Sequence, residues 1–227
     1  MAETIYTIPI NEEFDKRIAA GDCSCPLCNL RKKLEGDELT LILGASMMEP
    51  DIRIKTNEQG FCADHFSMML QNGKRLPLAL MLESHLNEIF DETVGKRSNP
   101  EKAVSRIEKL NGTCYICSRV NENFGHLVSN LAYMWETDQS FREKFDKQNY
   151  FCLRHYAELL SVARREMAKR SYKEFSAGFS EKVGGIFSEL CSDVSWFCKK
   201  YDYRYEDEPW GNAKDSPERS IKFLVGE

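Results

Sequence analysis

Eight residues of this chain have the types and spacing of metal ligands. Cys25-Pro26-Leu27-Cys28 and Cys114-Tyr115-Ile116-Cys117 are Cys-x-x-Cys pairs; Cys62-Ala63-Asp64-His65 and Cys152-Leu153-Arg154-His155 are Cys-x-x-His pairs. A Cys-x-x-Cys turn lets two thiolates reach one ion, and zinc prefers four tetrahedral sulfur or nitrogen ligands. Cys-x-x-His at a helix start places both side chains on one face. One turn-borne pair and one helix-borne pair can therefore close a site.

The two sets occur in the same order at matched spacing. Cys28 and Cys62 are separated by 33 residues, Cys117 and Cys152 by 34. Between them, Met47-Met48-Glu49-Pro50-Asp51 is echoed by Met134-Trp135-Glu136-Thr137-Asp138. This reads as an internal duplication. Each copy is expected to build its own Cys3His site: Cys25, Cys28, Cys62 and His65 in the first, Cys114, Cys117, Cys152 and His155 in the second. The expected cofactor is zinc at two sites. The alternative is an iron–sulfur cluster, in which His can replace Cys. A redox dithiol ranks third, because it leaves the Cys-x-x-His pairs unexplained. Arg31, Lys32, Lys33, Arg119 and Arg154 lie close to these motifs, where their charge would offset an anionic thiolate complex.

The elements that position these residues read as helices. Val120, Phe124, Leu127, Val128, Leu131, Met134 and Trp135 form one apolar stripe after the second Cys pair, and Leu27, Leu30 and Leu34 recur at helical spacing after the first. Helices also fit 61–70, 76–90, 101–110 and 151–167. A long helix over about 172–201 carries Phe175, Phe179, Val183, Ile186, Leu190, Val194 and Phe197 on one stripe. A short helix is expected near 217–225, and Asn99-Pro100 is a helix start. The expected architecture is all-α: an internally duplicated helical bundle with two metal-stapled helix junctions. Its divisions are a first metal-binding repeat (1–98), a second (99–170), and a long C-terminal helix with an aromatic, acidic tail packing on the repeats (171–227).

The composition bounds the function. The chain has 227 residues, is 42% apolar and 30% charged, and carries a formal charge of −5. That is a globular composition with no general attraction for nucleic acid or anionic membrane. No stretch is long enough to span a membrane and no signal peptide opens the chain, so a cytoplasmic location is expected. There the nine cysteines would stay reduced, which favours metal over disulfides.

The remaining candidates read more plainly. Cys23, two residues before Cys25, could swap in as a ligand, but it has no counterpart before Cys114 and reads as a bystander; Cys191 and Cys198 flank the long stripe as core residues, and His85 and His126 are core histidines. Glu49 and Asp51, with Glu136 and Asp138, could be acid–base carboxylates or helix caps, and capping is the simpler reading. The segment from Tyr201 to Gly211 interleaves aromatics with acids. It is expected to strap back over the helices, with docking of a protein partner as the alternative. No phosphate loop, nucleophile elbow or His-Glu-x-x-His motif is present, so the sequence leans against an enzyme; a pocket near Met47–Asp51 is the enzymatic alternative. The leading expectation is a metal-binding scaffold or binding module, the second a redox protein with two clusters.

Ile5-Tyr6-Thr7-Ile8-Pro9, the Cys-Pro-Leu-Cys turn, Leu41 to Asp51, Gly60-Phe61-Cys62 with His65, and Glu208-Pro209-Trp210-Gly211 with Asp215 together resemble an uncharacterised bacterial family, classed as a domain of unknown function. The resemblance spans nearly the whole chain. It implies a bacterial cytosolic protein and points to no particular activity; its metal residues would map onto the eight positions above.

Overall fold

The computed structural model describes residues 4–21, 24–96 and 98–226; Cys23 lies outside them. Among the described residues there are eleven α-helices and no strand. The chain is all-α, and no helix among these residues is long and apolar enough to cross a membrane. In order they are α1 (Thr4–Ala20), α2 (Pro26–Ile42), α3 (Pro50–Gln59), α4 (Ala63–Gln71), α5 (Arg75–Thr93), α6 (Pro100–Gly112), α7 (Tyr115–Thr137), α8 (Gln139–Asp146), α9 (Leu153–Glu166), α10 (Lys169–Lys199) and α11 (Ser216–Val225). Short 3-10 turns lie at Ala45–Met48, Tyr203–Tyr205 and Gly211–Ala213.

The chain forms two compact units: 31–124, and 1–30 together with 125–227. The boundaries fall inside α2 and α7, and the seam expected at 98/99 lies within the first of these units. The central unit, 31–124, has a core of aliphatic and methionine side chains. Leu39, Ile42, Leu43, Met47, Phe61, Met69, Leu78, Met81, Ile116 and Val120 pack together, with Cys114 among them. Helix α6 starts as its sequence suggests: the Asn99 side chain accepts from the N–H groups of Glu101 and Lys102, and Pro100 needs no donor there.

The other unit is built on phenylalanine. Phe14, Phe141, Phe145, Phe151, Phe175 and Phe179 are buried, contributed by α1, α8, α10 and the loop before α9. Phe145 sits at the centre, with ring centroids 5.1–6.1 Å from Phe14, Phe151, Phe175 and Phe179. Helix α8 is short, but Phe141 and Phe145 are one turn apart on it, and Asp138 caps it by accepting from the N–H groups of Ser140 and Phe141. The capping reading therefore holds at Asp138. Glu49 occupies the N-cap position of α3 but makes no side-chain cap bond.

Beyond α10 the tail folds back on Lys200. The Lys200 ammonium donates to the carbonyls of Tyr205, Glu206 and Glu208 at 2.6–2.7 Å and lies 5.4 Å from the Trp210 ring centroid. Trp196 Nε1 donates to Pro209 O, and Phe197 packs on Trp210. This is a strap held by one buried cation.

Two readings of buried side chains need correction. Cys191 and Cys198 are exposed, because they fall on the edge of the α10 stripe rather than in it. His126 is exposed as well, its ring stacked on Tyr6. His85 is buried, as expected of a core histidine.

Candidate metal centres

The eight ligand-type residues gather into two groups of four, but not copy by copy. Cys25 and Cys28 meet Cys152 and His155; Cys62 and His65 meet Cys114 and Cys117. The expectation that each copy closes its own site is therefore corrected: every Cys-x-x-Cys turn takes the Cys-x-x-His pair of the other half of the sequence. The division of the chain gives the reason: Cys25 and Cys28 fall with Cys152 and His155 in the unit of residues 1–30 and 125–227, whereas Cys62, His65, Cys114 and Cys117 all fall in the unit of residues 31–124, so the packing of each unit joins turns that the repeat order keeps apart.

The distances suit a single tetrahedral ion. Metal–ligand bonds of about 2.3 Å to sulfur and 2.0–2.1 Å to nitrogen imply edges of about 3.8 Å between sulfurs and about 3.6 Å between sulfur and nitrogen. In the first centre Cys28 Sγ is 3.7 Å from Cys152 Sγ. His155 Nδ1 lies 3.6, 3.3 and 3.2 Å from the sulfurs of Cys25, Cys28 and Cys152. In the second, Cys62 Sγ is 3.9 Å from Cys117 Sγ. His65 Nδ1 lies 3.1, 3.3 and 3.5 Å from Cys62, Cys114 and Cys117.

The helix starts aim these ligands. Cys62 and Cys152 are the N-cap residues of α4 and α9, both in extended conformation, and neither thiol caps its helix. A side chain at this position ordinarily accepts from the first free N–H groups. Here the thiol instead meets the histidine of the next turn and the facing Cys pair. The positive end of each helix favours thiolate at that place.

Electrostatics without an ion point the same way. The bond to Cys114 holds His65 up, to about 9, against the opposing pull of burial. Burial pulls His155 down, but its bonds to Cys152 and Cys28 outweigh that and raise it to about 9. Burial pushes Cys114 up, yet bonds from His65 and from backbone N–H groups bring it to about 6. Cys117 is pushed up to about 12 by burial and by the Cys114 charge. Burial also drives Cys25 well above the usual thiol range. Each cluster thus crowds several ionisable ligand atoms together, and a divalent cation resolves that conflict.

The surroundings of the centres differ. His65 turns its other nitrogen, Nε2, to Glu35 Oε1 at 3.1 Å, the carboxylate partner that orients many metal-bound histidines. The two ligand loops beside it are sewn together. Tyr115 N donates to Gly60 O, Thr113 Oγ1 donates to Gln59 O, and Arg106 donates to the carbonyls of Asn57 and Glu58. Gly60 has φ +64°, and a Cβ there would stand 3.1 Å from Leu110 and 3.4 Å from the His85 ring. In the other centre, Asn29 ties the Cys turn to its neighbours by donating to Glu13 Oε1 and Ser24 Oγ. Gly226, at the end of α11 with φ +87°, covers the sulfurs: a Cβ there would lie 3.3 Å from Cys28 Sγ and 3.7 Å from Cys152 Sγ.

Glu35 and Gly226 were not among the candidate residues read from the sequence. Glu35 gains meaning only once the crossed pairing is known, and nothing in the pattern near Gly226 signals its place. The neighbouring cations serve other partners: Arg31 bonds Asn121 and lies over Phe124, and Arg119 pairs with Glu38 and Glu122. The carboxylates Glu49 and Asp51 are exposed beside exposed Met48, and only Met47 of that run is buried.

No curated protein and no solved structure matches the chain. One family profile does, over residues 1–227. Its breadth agrees with the motifs, which run from the first turn of the chain to the tail. The chain belongs to DUF6062, a family of unknown function.

Proposed function

We propose that this protein is a zinc-binding helical module in which two structural Cys3His centres, Cys25/Cys28/Cys152/His155 and Cys62/His65/Cys114/Cys117, lock the helix junctions and present a surface to a protein partner. The observation that carries the reading is that the four ligand atoms of each group all lie within 4.8 Å of one another, with eight of their pair separations at 3.1–3.9 Å, which fits the edges of one tetrahedral ion. Several irons bridged by sulfide would hold the same ligands farther apart, so these separations favour a single ion over a cluster. With three thiolates and one imidazole, all four positions are filled by protein. Such a centre supports structure rather than turnover; in small domains it contributes about 10–16 kcal/mol of apparent binding energy to folding.

The partner surface would lie on the strap. Tyr201 and Tyr203 are 76% and 84% exposed while the backbone around them is held by Lys200, so two aromatic side chains stand out from a fixed support. A cytoplasmic setting, which keeps thiols reduced, suits the six cysteine ligands.

Elemental analysis of untagged protein, purified with and without air, tests the reading. Two zinc ions per chain and no visible absorption are expected. Brown protein with iron and acid-labile sulfide would replace zinc by clusters, and protein free of metal would end the proposal.

A further inference from the structure

The two centres share a ligand set but not an environment. Cys25, Cys28, Cys152 and His155 are all buried, and Gly226 closes over two of the sulfurs. In the other centre Cys114 and His65 are buried, whereas Cys62 and Cys117 are part-exposed. Those two sulfurs are also neighbours, 3.9 Å apart, and come from separate elements, the start of α4 and the first turn of α7. Thiolates react with oxidants according to their charge and their access. A bound divalent ion keeps both sulfurs as thiolates, and access then separates the centres.

We propose, building on the metal reading above, that the Cys62/His65/Cys114/Cys117 centre is a hydroperoxide-responsive site that releases its metal on forming a Cys62–Cys117 disulfide, while the Cys25/Cys28/Cys152/His155 centre is a closed structural one. The chemistry balances with hydrogen peroxide as oxidant. One of the two thiolates attacks a peroxide oxygen; the O–O bond breaks, hydroxide leaves, and a sulfenic acid forms. The second thiolate attacks that sulfur and displaces its hydroxyl, which leaves as hydroxide. Two protons convert both hydroxides to water. The sulfur pair loses two electrons and the peroxide gains them. The centre then keeps only Cys114 and His65, too few ligands to retain the ion. A thiol reductant restores both thiolates and the full set.

The experiment uses full-length protein shown beforehand to carry two metal ions. Limiting hydrogen peroxide is added, release is followed with a chromogenic chelator, and free thiols are alkylated before non-reducing peptide mapping. One of the two ions should leave in a resolved phase, with a Cys62–Cys117 bridge as the first product and with Cys25, Cys28 and Cys152 unmodified. Reduction and added zinc should restore the lost equivalent. Gly226→Ala, which places a methyl against Cys28 and Cys152, should make the second ion releasable and leave the first phase unchanged. Protein without metal at the outset would remove the metal reading itself. Two ions leaving together, a first bridge between any other pair, or a second ion indifferent to Gly226→Ala would leave that reading standing and overturn this one.

Discussion

Removing two ligands at once distinguishes the crossed arrangement from one site per copy. Cys28→Ala should abolish the centre completed by Cys152 and His155, leaving one ion per chain. Adding His155→Ala removes a second ligand of the same centre, so the double variant should still hold one ion. Adding His65→Ala instead should leave none. Ligand pairing within each copy requires the reverse: Cys28 and His65 would share an ion, and Cys28 with His155 would cost both. The structure makes the contrast large. Cys28 Sγ is 3.3 Å from His155 Nδ1, close to the tetrahedral edge, and each centre has its own four ligands. With free zinc at a thousand times the dissociation constant, one bound ion stabilises the fold by about 4 kcal/mol. At 2–4 °C per kcal/mol for a chain of this size, its loss lowers the midpoint of the affected transition by about 10 °C. The pair sharing a centre should therefore melt like Cys28→Ala alone, while Cys28→Ala with His65→Ala should show both transitions lowered. Metal content by elemental analysis and melting followed by circular dichroism give both numbers. One ion retained by Cys28→Ala/His65→Ala, and none by Cys28→Ala/His155→Ala, would refute the assignment.

Three further outcomes follow. Glu35→Gln should weaken zinc at the His65 centre by about 10–100-fold in competition with a chelator and spare the other ion, because it removes the carboxylate that orients His65. Zinc entering the His65 centre at pH 7.5 should expel at least two protons, one from His65, held up to about 9, and one from Cys117, pushed up to about 12; Cys114, near 6, has already lost its own. Affinity should accordingly rise with pH between 7 and 9, and calorimetry in buffers of different ionisation heat would count the protons; an affinity flat in pH would contradict those ionisation states. Lys200→Met strands three carbonyls and should cost about 1.5–3 kcal/mol locally, read as faster hydrogen exchange and proteolysis over residues 201–210; unchanged protection there would mean that the ammonium does not hold the strap.

Much of the fold was legible because burial imposes period. The α10 stripe placed Phe175, Phe179, Val183 and Leu190 inside, and the α7 stripe behaved likewise. Helix α1 was missed although Ile10 and Phe14 are fully buried one turn apart, because Pro9 interrupts the pattern and the flanking residues are mixed. Helix α8 has only eight residues, and two phenylalanines make too short a run to recognise. The identities of the eight clustered residues were readable, since few other demands produce paired Cys-x-x-Cys and Cys-x-x-His motifs. Their partnership was not. It depends on which stretches of the chain pack into the same compact unit, with boundaries inside α2 and α7, and motif spacing does not express that. Cys191 and Cys198 show the converse error: they flank the apolar stripe and were read as core, but the buried line of α10 runs through Phe179, Val183 and Leu190 and leaves both cysteines exposed.

The most direct measurement is X-ray absorption at the zinc edge on untagged, full-length protein of known metal content. Two ions per chain should give an average shell of three sulfurs at about 2.3 Å and one nitrogen at about 2.0 Å, with no metal–metal scattering. A shell dominated by oxygen, or a short metal–metal distance, would contradict the two four-ligand centres.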